Sequence, residues 1–156
     1  MAALKPIQII GGGLAGLTLG IGLRQQEIPV TIREAGHYPR HRVCGEFISG
    51  RGQESLARLG LLGLLQNAGA VQARTAAFFS ATRSAPSRSL PASAVCLSRF
   101  KLDAALAEKF QKLGGELVVG RRWREEDFGE GIVRAAGRRA QVGQGSEGWF
   151  GLKIHA

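Results

Sequence analysis

The chain has 156 residues, 44% of them hydrophobic, and this length suits one domain with a substantial core. Its formal net charge is +9, but the arginines are scattered between Arg24 and Arg139 and do not alternate with aromatic residues. We therefore expect no nucleic-acid binding. No apolar run approaches the roughly 20 residues of a membrane span, and the first predicted strand follows Met1 too closely for a signal peptide.

Cys44 and Cys96 are the only cysteines, and they lie far apart with no metal-ligand pattern around them. We therefore expect reduced thiols, a cytoplasmic location, no metal site and no integral membrane segment.

Residues 7–34 carry the clearest pattern, which is a strand, a glycine-rich turn, a helix and a second strand in that order. The β-branched run of Ile7, Ile9 and Ile10 predicts a buried parallel strand. Apolar residues at helical spacing predict a helix from about residue 13 to residue 25, and the alternating stretch after Pro29 predicts a second strand. This order is that of a dinucleotide-binding β-α-β unit.

The turn contains Gly11, Gly13 and Gly16 in G-x-G-x-x-G spacing. In this fingerprint the first glycine makes the tight turn, the second admits a pyrophosphate, and the third lets the helix pack closely on the strand. Leu14 and Ala15 complete the turn, so the phosphates would meet the positive end of the helix. These five residues are the predicted phosphate-binding loop.

Glu34 ends the second strand, close to the spacing of about 20 residues beyond the glycines at which a carboxylate reaches a ribose hydroxyl. A carboxylate at this position favours a free adenosine ribose, and hence FAD or NAD rather than NADP. The alternative is a glycine-rich turn in another kind of α/β domain.

The loop that follows contains YPRHRVCGEFIS, which resembles the P-R-x-K/R-V-C-G-E/D segment of FAD-dependent oxidoreductases grouped with geranylgeranyl reductases, flavin-dependent halogenases and aromatic hydroxylases. In that family the glycine fingerprint binds the FAD diphosphate, the acid after the second strand holds the adenosine ribose, and the Cys-Gly segment runs beside the flavin. The resemblance therefore assigns Arg42, Cys44 and Gly45 to the cofactor site. The Cys-Gly form is closer to the reductase branch than to the halogenases.

Other side chains of this loop have two interpretations each. Cys44 is either a thiol near the flavin that shapes or protonates a substrate, or a small, semi-buried residue chosen for fit. Glu46 is either an acid or base beside the ring or a solvated carboxylate. His37 and His41 are expected to face solvent, because nothing near them supplies a second metal ligand or a nucleophile.

Two short helices separated by glycines are predicted within residues 49–66, with Ser49 as the first N-cap. Strands are predicted at residues 75–80 and 95–97, joined by a turn-rich connector. In the family that the chain resembles, a β-meander lies in this region.

Residues 98–113 form the clearest amphipathic helix, which Gly114 and Gly115 are expected to end. Its opening S-R-F-x-L-D-x-x-L resembles a second motif of the family, which assigns Arg99 to the cofactor and Asp103 to structure. Without that resemblance, Arg99 is an ordinary residue of the first helical turn.

The C-terminal part departs from the family pattern. Residues 116–119 predict a third parallel strand. Residues 132–139 resemble a later family strand, with Ala136 where the family often has aspartate. The contacts that this aspartate makes to flavin and nicotinamide in the family are therefore not predicted for this chain. Residues 148–156 look like a strand, and no substrate domain or second glycine-aspartate motif is present. We therefore expect residues 1–156 to be the N-terminal portion of a FAD/NAD(P)-binding domain that needs a further half or a partner chain.

The whole pattern predicts an α/β, Rossmann-like FAD-binding domain with a parallel sheet and an inserted β-meander, incomplete at its C-terminus. The resemblance implies a flavoprotein oxidoreductase in which NAD(P)H reduces FAD, followed by double-bond reduction or monooxygenation of a hydrophobic or aromatic small molecule. No catalytic residue is predicted. The alternatives are a catalytically incomplete nucleotide-binding module and an NAD-dependent dehydrogenase, although Tyr38, the only tyrosine, lacks a Tyr-x-x-x-Lys partner.

Overall fold

The computed structural model describes residues 5–44, 46–123 and 129–137. Gly45 and the strand predicted at residues 148–156 lie outside the described residues. The elements, in chain order, are β1 (Ile7–Ile10), α1 (Leu14–Gln25), β2 (Val30–Glu34), β3 (Phe47–Ile48), α2 (Arg51–Arg58), α3 (Leu62–Asn67), β4 (Val71–Ala76), β5 (Arg88–Cys96), α4 (Arg99–Lys112), β6 (Glu116–Val119) and β7 (Ile132–Arg134).

A parallel sheet in the order β6-β2-β1-β7 forms the centre of the fold. Ile9 of β1 pairs with Ile32 of β2 on one side and with Val133 of β7 on the other. The predicted β-α-β unit and the predicted third parallel strand at 116–119 are confirmed. Since the strands are parallel, their carboxyl ends share one edge of the sheet, and the glycine turn and Glu34 both lie at that edge.

The helices α1 and α4 cover one face of this sheet and supply most of its core. Leu17 and Ile21 of α1 and Phe110 of α4 are fully buried. A Cβ atom added to Gly20 would come within 2.8 Å of Ile32 and 3.0 Å of the Phe110 ring. Glycine is therefore what lets α1 approach both the sheet and α4, which fixes the helix that begins at the glycine turn.

A three-stranded antiparallel sheet is inserted between β2 and α4, in the order β3-β5-β4. The insertion is where a β-meander was expected, with β5 in the centre. The predicted strand bounds were wrong, because β4 spans Val71–Ala76 and β5 already begins at Arg88. Most residues of β4 and of the first half of β5 are exposed, so these segments lack the apolar alternation that marks a half-buried strand.

The two short helices predicted after the inserted loop are present as α2 and α3. The predicted N-cap was wrong: Gly50 occupies the cap position of α2 with φ of 48°, and the helix has no side-chain cap. Ser49 contributes its carbonyl oxygen, which accepts from Gly52 N–H at 3.1 Å. A positive φ at the cap position suits glycine, and Ser49 lies one residue before that position.

The amphipathic helix α4 is confirmed. Ser98 is its N-cap and accepts from the Lys101 backbone N–H at 3.4 Å, while Gly114 follows its C-terminus with φ of 77°. In the part of the chain that the structure describes, none of the helices has both the length and the apolarity to cross a bilayer.

Candidate cofactor-binding site

The glycine loop connects β1 to α1 at the carboxyl edge of the parallel sheet. Gly11 has φ of 109°, and an added Cβ there would lie 2.4 Å from the Ala135 carbonyl oxygen and 2.8 Å from Ala136 Cα. An added Cβ on Gly16 would lie 1.9 Å from the Gly11 carbonyl oxygen. The fold itself therefore requires glycine at both positions. Ala136, where the resembling family often has aspartate, packs directly against the loop.

Gly13 differs from these two glycines, because an added Cβ would meet only the Arg99 guanidinium, at 3.7 Å. That distance is an ordinary van der Waals contact, so a Cβ at residue 13 would clash with none of the described residues. This is the position at which the fingerprint predicts approach of a pyrophosphate.

The N-terminus of α1 is available to an anion. Gly13 is its N-cap residue, no side chain caps it, and its first turn holds no acidic residue. Leu14 is half-buried and Ala15 is exposed in that first turn. The first amides of a helix have no partner within the helix, and the dipole makes this end positive. The loop therefore presents donors and positive potential to the space in front of Gly13.

Glu34 is buried at the carboxyl end of β2, with 5% of its surface exposed. The Gly12 N–H donates to its Oε2 at 2.7 Å, and the Gly36 N–H donates to its Oε1 at 2.8 Å. Arg40 Nη1 also donates to Oε1. Burial favours the neutral acid, but the hydrogen bonds from Arg40, Gly36 and Gly12 outweigh it and lower the pKa of Glu34 to about 2. The site therefore holds an ionised carboxylate against the glycine loop.

Tyr38 and Arg40 lie across the glycine loop, and the sequence analysis gave neither of them a role in the site. The Tyr38 hydroxyl donates to the Gly12 carbonyl oxygen, and the Arg40 guanidinium lies 5.0 Å from the centroid of the Tyr38 ring. Burial, with the negative charge of Glu34, raises the pKa of Tyr38. The one signal in the sequence is the placement of an aromatic residue and an arginine within six residues of a strand-ending acid.

The residues assigned by the first family motif lie further out. Arg42 is half-exposed, with Nη2 at 3.8 Å from Glu34 Oε1. Cys44 is exposed, and its Sγ accepts from the Glu46 N–H at 3.5 Å, so of its two interpretations the semi-buried residue chosen for fit is wrong. His37 and His41 are exposed as predicted, and the His41 ring stacks on Phe100 at 4.8 Å between centroids.

Arg99 is fixed beside the glycine loop by a buried carboxylate. Its Nε and Nη2 donate to the two oxygens of Asp103 at 2.7 Å each, and Asp103 is fully buried. The hydrogen bonds to Asp103 raise the pKa of Arg99, so this guanidinium is permanently charged. Asp103 thus has the structural position that the second motif predicted, and it holds Arg99 close to Gly13.

Glu46 is not the solvated carboxylate that was one of its two interpretations. Its Oε1 accepts from the Arg99 backbone N–H at 2.9 Å, so the carboxylate lies at the N-terminus of α4. This contact ties the loop after β2 to the helix that carries Arg99, and a negative charge is favourable at that end of a helix.

An apolar groove of about 700 Å³ lies on the other side of α1, where α1 faces α2. Its lining includes Leu14, Leu19, Leu23 and Leu59, and it offers few polar groups to orient a charged ligand. Among the residues that the structure describes, no group of three or more His, Cys, Asp or Glu side chains is placed to hold a metal ion.

Comparison with known proteins identifies solved structures of the same fold. No protein-family profile and no curated protein matches the chain. A flavoprotein/dehydrogenase from Cytophaga hutchinsonii matches over 74% of this chain and 30% of its own, with 24% identity and a TM-score of 0.61. The tetrameric form of 2-methyl-3-hydroxypyridine-5-carboxylic acid oxygenase matches over 76% and 32%, with 24% identity and a TM-score of 0.67.

A third structure, the flavin-dependent halogenase CmlS, is 28% identical over 77% of this chain and 23% of its own, with a TM-score of 0.61. The resemblance to flavin-dependent oxygenases and halogenases is confirmed. So is the fold class, an α/β domain of the Rossmann-like FAD-binding type. The chain spans about a third or less of the length of these proteins.

Proposed function

We propose that this chain is the FAD-binding part of a flavoprotein oxidoreductase, in which the glycine loop holds the diphosphate and Glu34 holds the adenosine ribose. The observation that carries this proposal is the position of an ionised, buried carboxylate directly beside a glycine loop in which Gly13 faces the Arg99 guanidinium. Carboxylate and loop are spaced as the dinucleotide fingerprint requires.

The diphosphate would be bound from two sides. The free amides of the first turn of α1 face it at Gly13, and the Arg99 guanidinium lies across the same space. Two of the five N–H groups of an arginine are used by Asp103, which leaves donors for a phosphate oxygen. Arg42, being half-exposed, can reach the same anion from the solvent side. Cys44 and Gly45 stay proposed flavin-side residues on the family motif alone.

FAD, when bound, would supply the hydride and oxygen chemistry, and the chain's own residues would bind and orient it. Apart from one flavoprotein/dehydrogenase, the proteins that the chain is similar to are named as oxygenases, monooxygenases and halogenases. Those names support an oxygen-dependent reaction on a small hydrophobic or aromatic molecule over double-bond reduction. NAD(P)H as the electron donor, the need for a further half or partner chain, and a cytoplasmic location are parts of the same proposal.

The test is calorimetric titration of the purified 156-residue chain with FAD and with NAD. We expect FAD to bind and Gly13→Val to abolish binding without loss of thermal stability, because the valine would occupy the phosphate space and meet little of the protein. Gly63→Val is the matched control, since an added Cβ there also meets nothing within 4 Å and the residue lies in α3, away from the loop.

Two results would contradict the proposal. Equal FAD binding by the wild type and by Gly13→Val would place the cofactor elsewhere. Binding of NAD in preference to FAD would favour the dehydrogenase interpretation of the same fingerprint.

A further inference from the structure

Residues 37–40, called the strap here, are closed over the glycine loop and over Glu34. The Tyr38 hydroxyl donates to the Gly12 carbonyl oxygen, and Arg40 Nη2 lies 3.4 Å from the same oxygen. Arg40 Nη1 donates to Glu34 Oε1. The side chain of Arg40 is only 14% exposed, so this arginine is packed into the site and does not reach in from solvent.

The acceptor capacity of Glu34 is almost exhausted by these contacts. A carboxylate has about four acceptor positions, two on each oxygen. Oε1 accepts from the Gly36 N–H and from Arg40, whereas among the described residues Oε2 accepts only from the Gly12 N–H. A ribose presents two neighbouring hydroxyls and, to be held by both oxygens, needs one free position on each. Only Oε2 has one.

The donor that must give way is Arg40. The amides of Gly12 and Gly36 are backbone groups, each two residues beyond the end of a strand of the parallel sheet. Arg40 reaches Oε1 through a flexible side chain. Its Nε is also buried without a hydrogen-bond partner among the described residues, so its present position satisfies the guanidinium incompletely.

We propose that Arg40 is a specificity-determining residue that competes with the ribose diol for Glu34 Oε1, so that the strap must release before both hydroxyls can be held. This inference rests on the proposed function, because it concerns how the same site admits the adenosine ribose. The apparent affinity for a diol-containing nucleotide is then reduced by the fraction of molecules whose strap is closed.

The experiment compares two probes, ADP and 2′,3′-dideoxy-ADP, in calorimetric titrations of the wild type and of Arg40→Met. Both probes carry the adenine and the diphosphate, but only ADP carries the diol. We expect Arg40→Met to bind ADP at least about threefold more tightly than the wild type does, since removal of the closed state restores the intrinsic affinity. The affinity for dideoxy-ADP should change by less than about twofold, because that ligand makes no demand on Oε1.

Two further variants keep the result interpretable. Tyr38→Phe loosens the strap without changing its charge. We expect it to raise the affinity for ADP, as Arg40→Met does, and to leave the affinity for dideoxy-ADP unchanged. Arg58→Met removes the same charge from an exposed arginine of α2, whose side chain is 78% exposed, and should change neither affinity.

The outcomes separate the strap from the proposed function. If Arg40→Met loses affinity for both ligands, or gains equally for both, Arg40 does not compete with the diol for Oε1. The proposed nucleotide site is unaffected by that result. Unchanged affinity for ADP in Arg40→Met and Tyr38→Phe overturns the competition as well. Failure of the wild type and of every variant to bind either ligand or FAD overturns the strap together with the proposed function.

Discussion

At the scale of single residues, the site depends on one carboxylate whose charge the protein maintains against burial. Two backbone amides and one guanidinium donate to Glu34, and together they lower its pKa to about 2 from an ordinary value of 4.5. An ionised carboxylate accepts hydrogen bonds from the ribose hydroxyls. The carboxylate is therefore ionised at neutral pH, and a diol would need the release of Arg40 from Oε1 to be held by both oxygens.

This pKa makes a prediction about stability. A carboxyl group whose pKa is lower in the folded chain stabilises the fold above its unfolded pKa, and that contribution is lost as the pH falls from about 4.5 towards 2. The shift corresponds to roughly 3 kcal/mol of unfolding free energy. Glu34→Gln should therefore be less stable than the wild type at pH 7, and the difference should shrink below pH 4.5. Urea unfolding at a series of pH values measures it, and a difference independent of pH would contradict the assignment.

At the scale of elements, α1 both carries the phosphate loop and anchors it to the sheet. Leu17 and Ile21 are fully buried against the sheet and α4, whereas Leu19 is 39% exposed on the groove side. Gly16 and Gly20 bring the helix close to β1 and β2, so the start of the helix has little freedom to move. The loop is held rigid by this packing, since α1 has no side-chain cap.

The two leucines provide a matched test of that packing. Leu17→Ala should lower the unfolding free energy by about 2–5 kcal/mol, because it leaves a cavity in a fully buried region. Leu19→Ala should cost less than about 1 kcal/mol, because the side chain already contacts solvent. Urea denaturation of both variants gives the comparison. Similar costs for the two substitutions would mean that the face of α1 assigned to the core is wrong.

Other elements show what the sequence could predict and what it could not. The strands β1, β2 and β6 and the helices α1 and α4 were predicted closely, because each has a clear contrast between apolar and polar positions. The strand expected at residues 132–139 was too long, because β7 ends at Arg134 and residues 135–137 are not in a strand. The long exposed strands β4 and β5 have no such contrast, so their bounds were missed. Ser49 failed as a cap because a left-handed backbone at Gly50 places the cap one residue later.

At the scale of the whole molecule, the sheet brings together residues from four distant parts of the chain at one edge. The glycine loop, Glu34 with the neighbouring strap, Arg99, and the pair Ala135 and Ala136 directly after β7 meet there. The fingerprint and the family motifs identified the loop, Glu34 and Arg99 from local spacing. The contacts of Tyr38 and Arg40 depend on how the loop after β2 folds back, which no periodicity encodes.

Our proposal is that the described residues bind the ADP half of FAD. Calorimetric titration of the wild-type chain with ADP and, separately, with FMN tests it most directly, because each ligand is one half of FAD. We expect ADP to bind and FMN to bind at least tenfold more weakly, since the glycine loop and Glu34 recognise diphosphate and adenosine ribose. Binding of FMN with no binding of ADP would contradict the account.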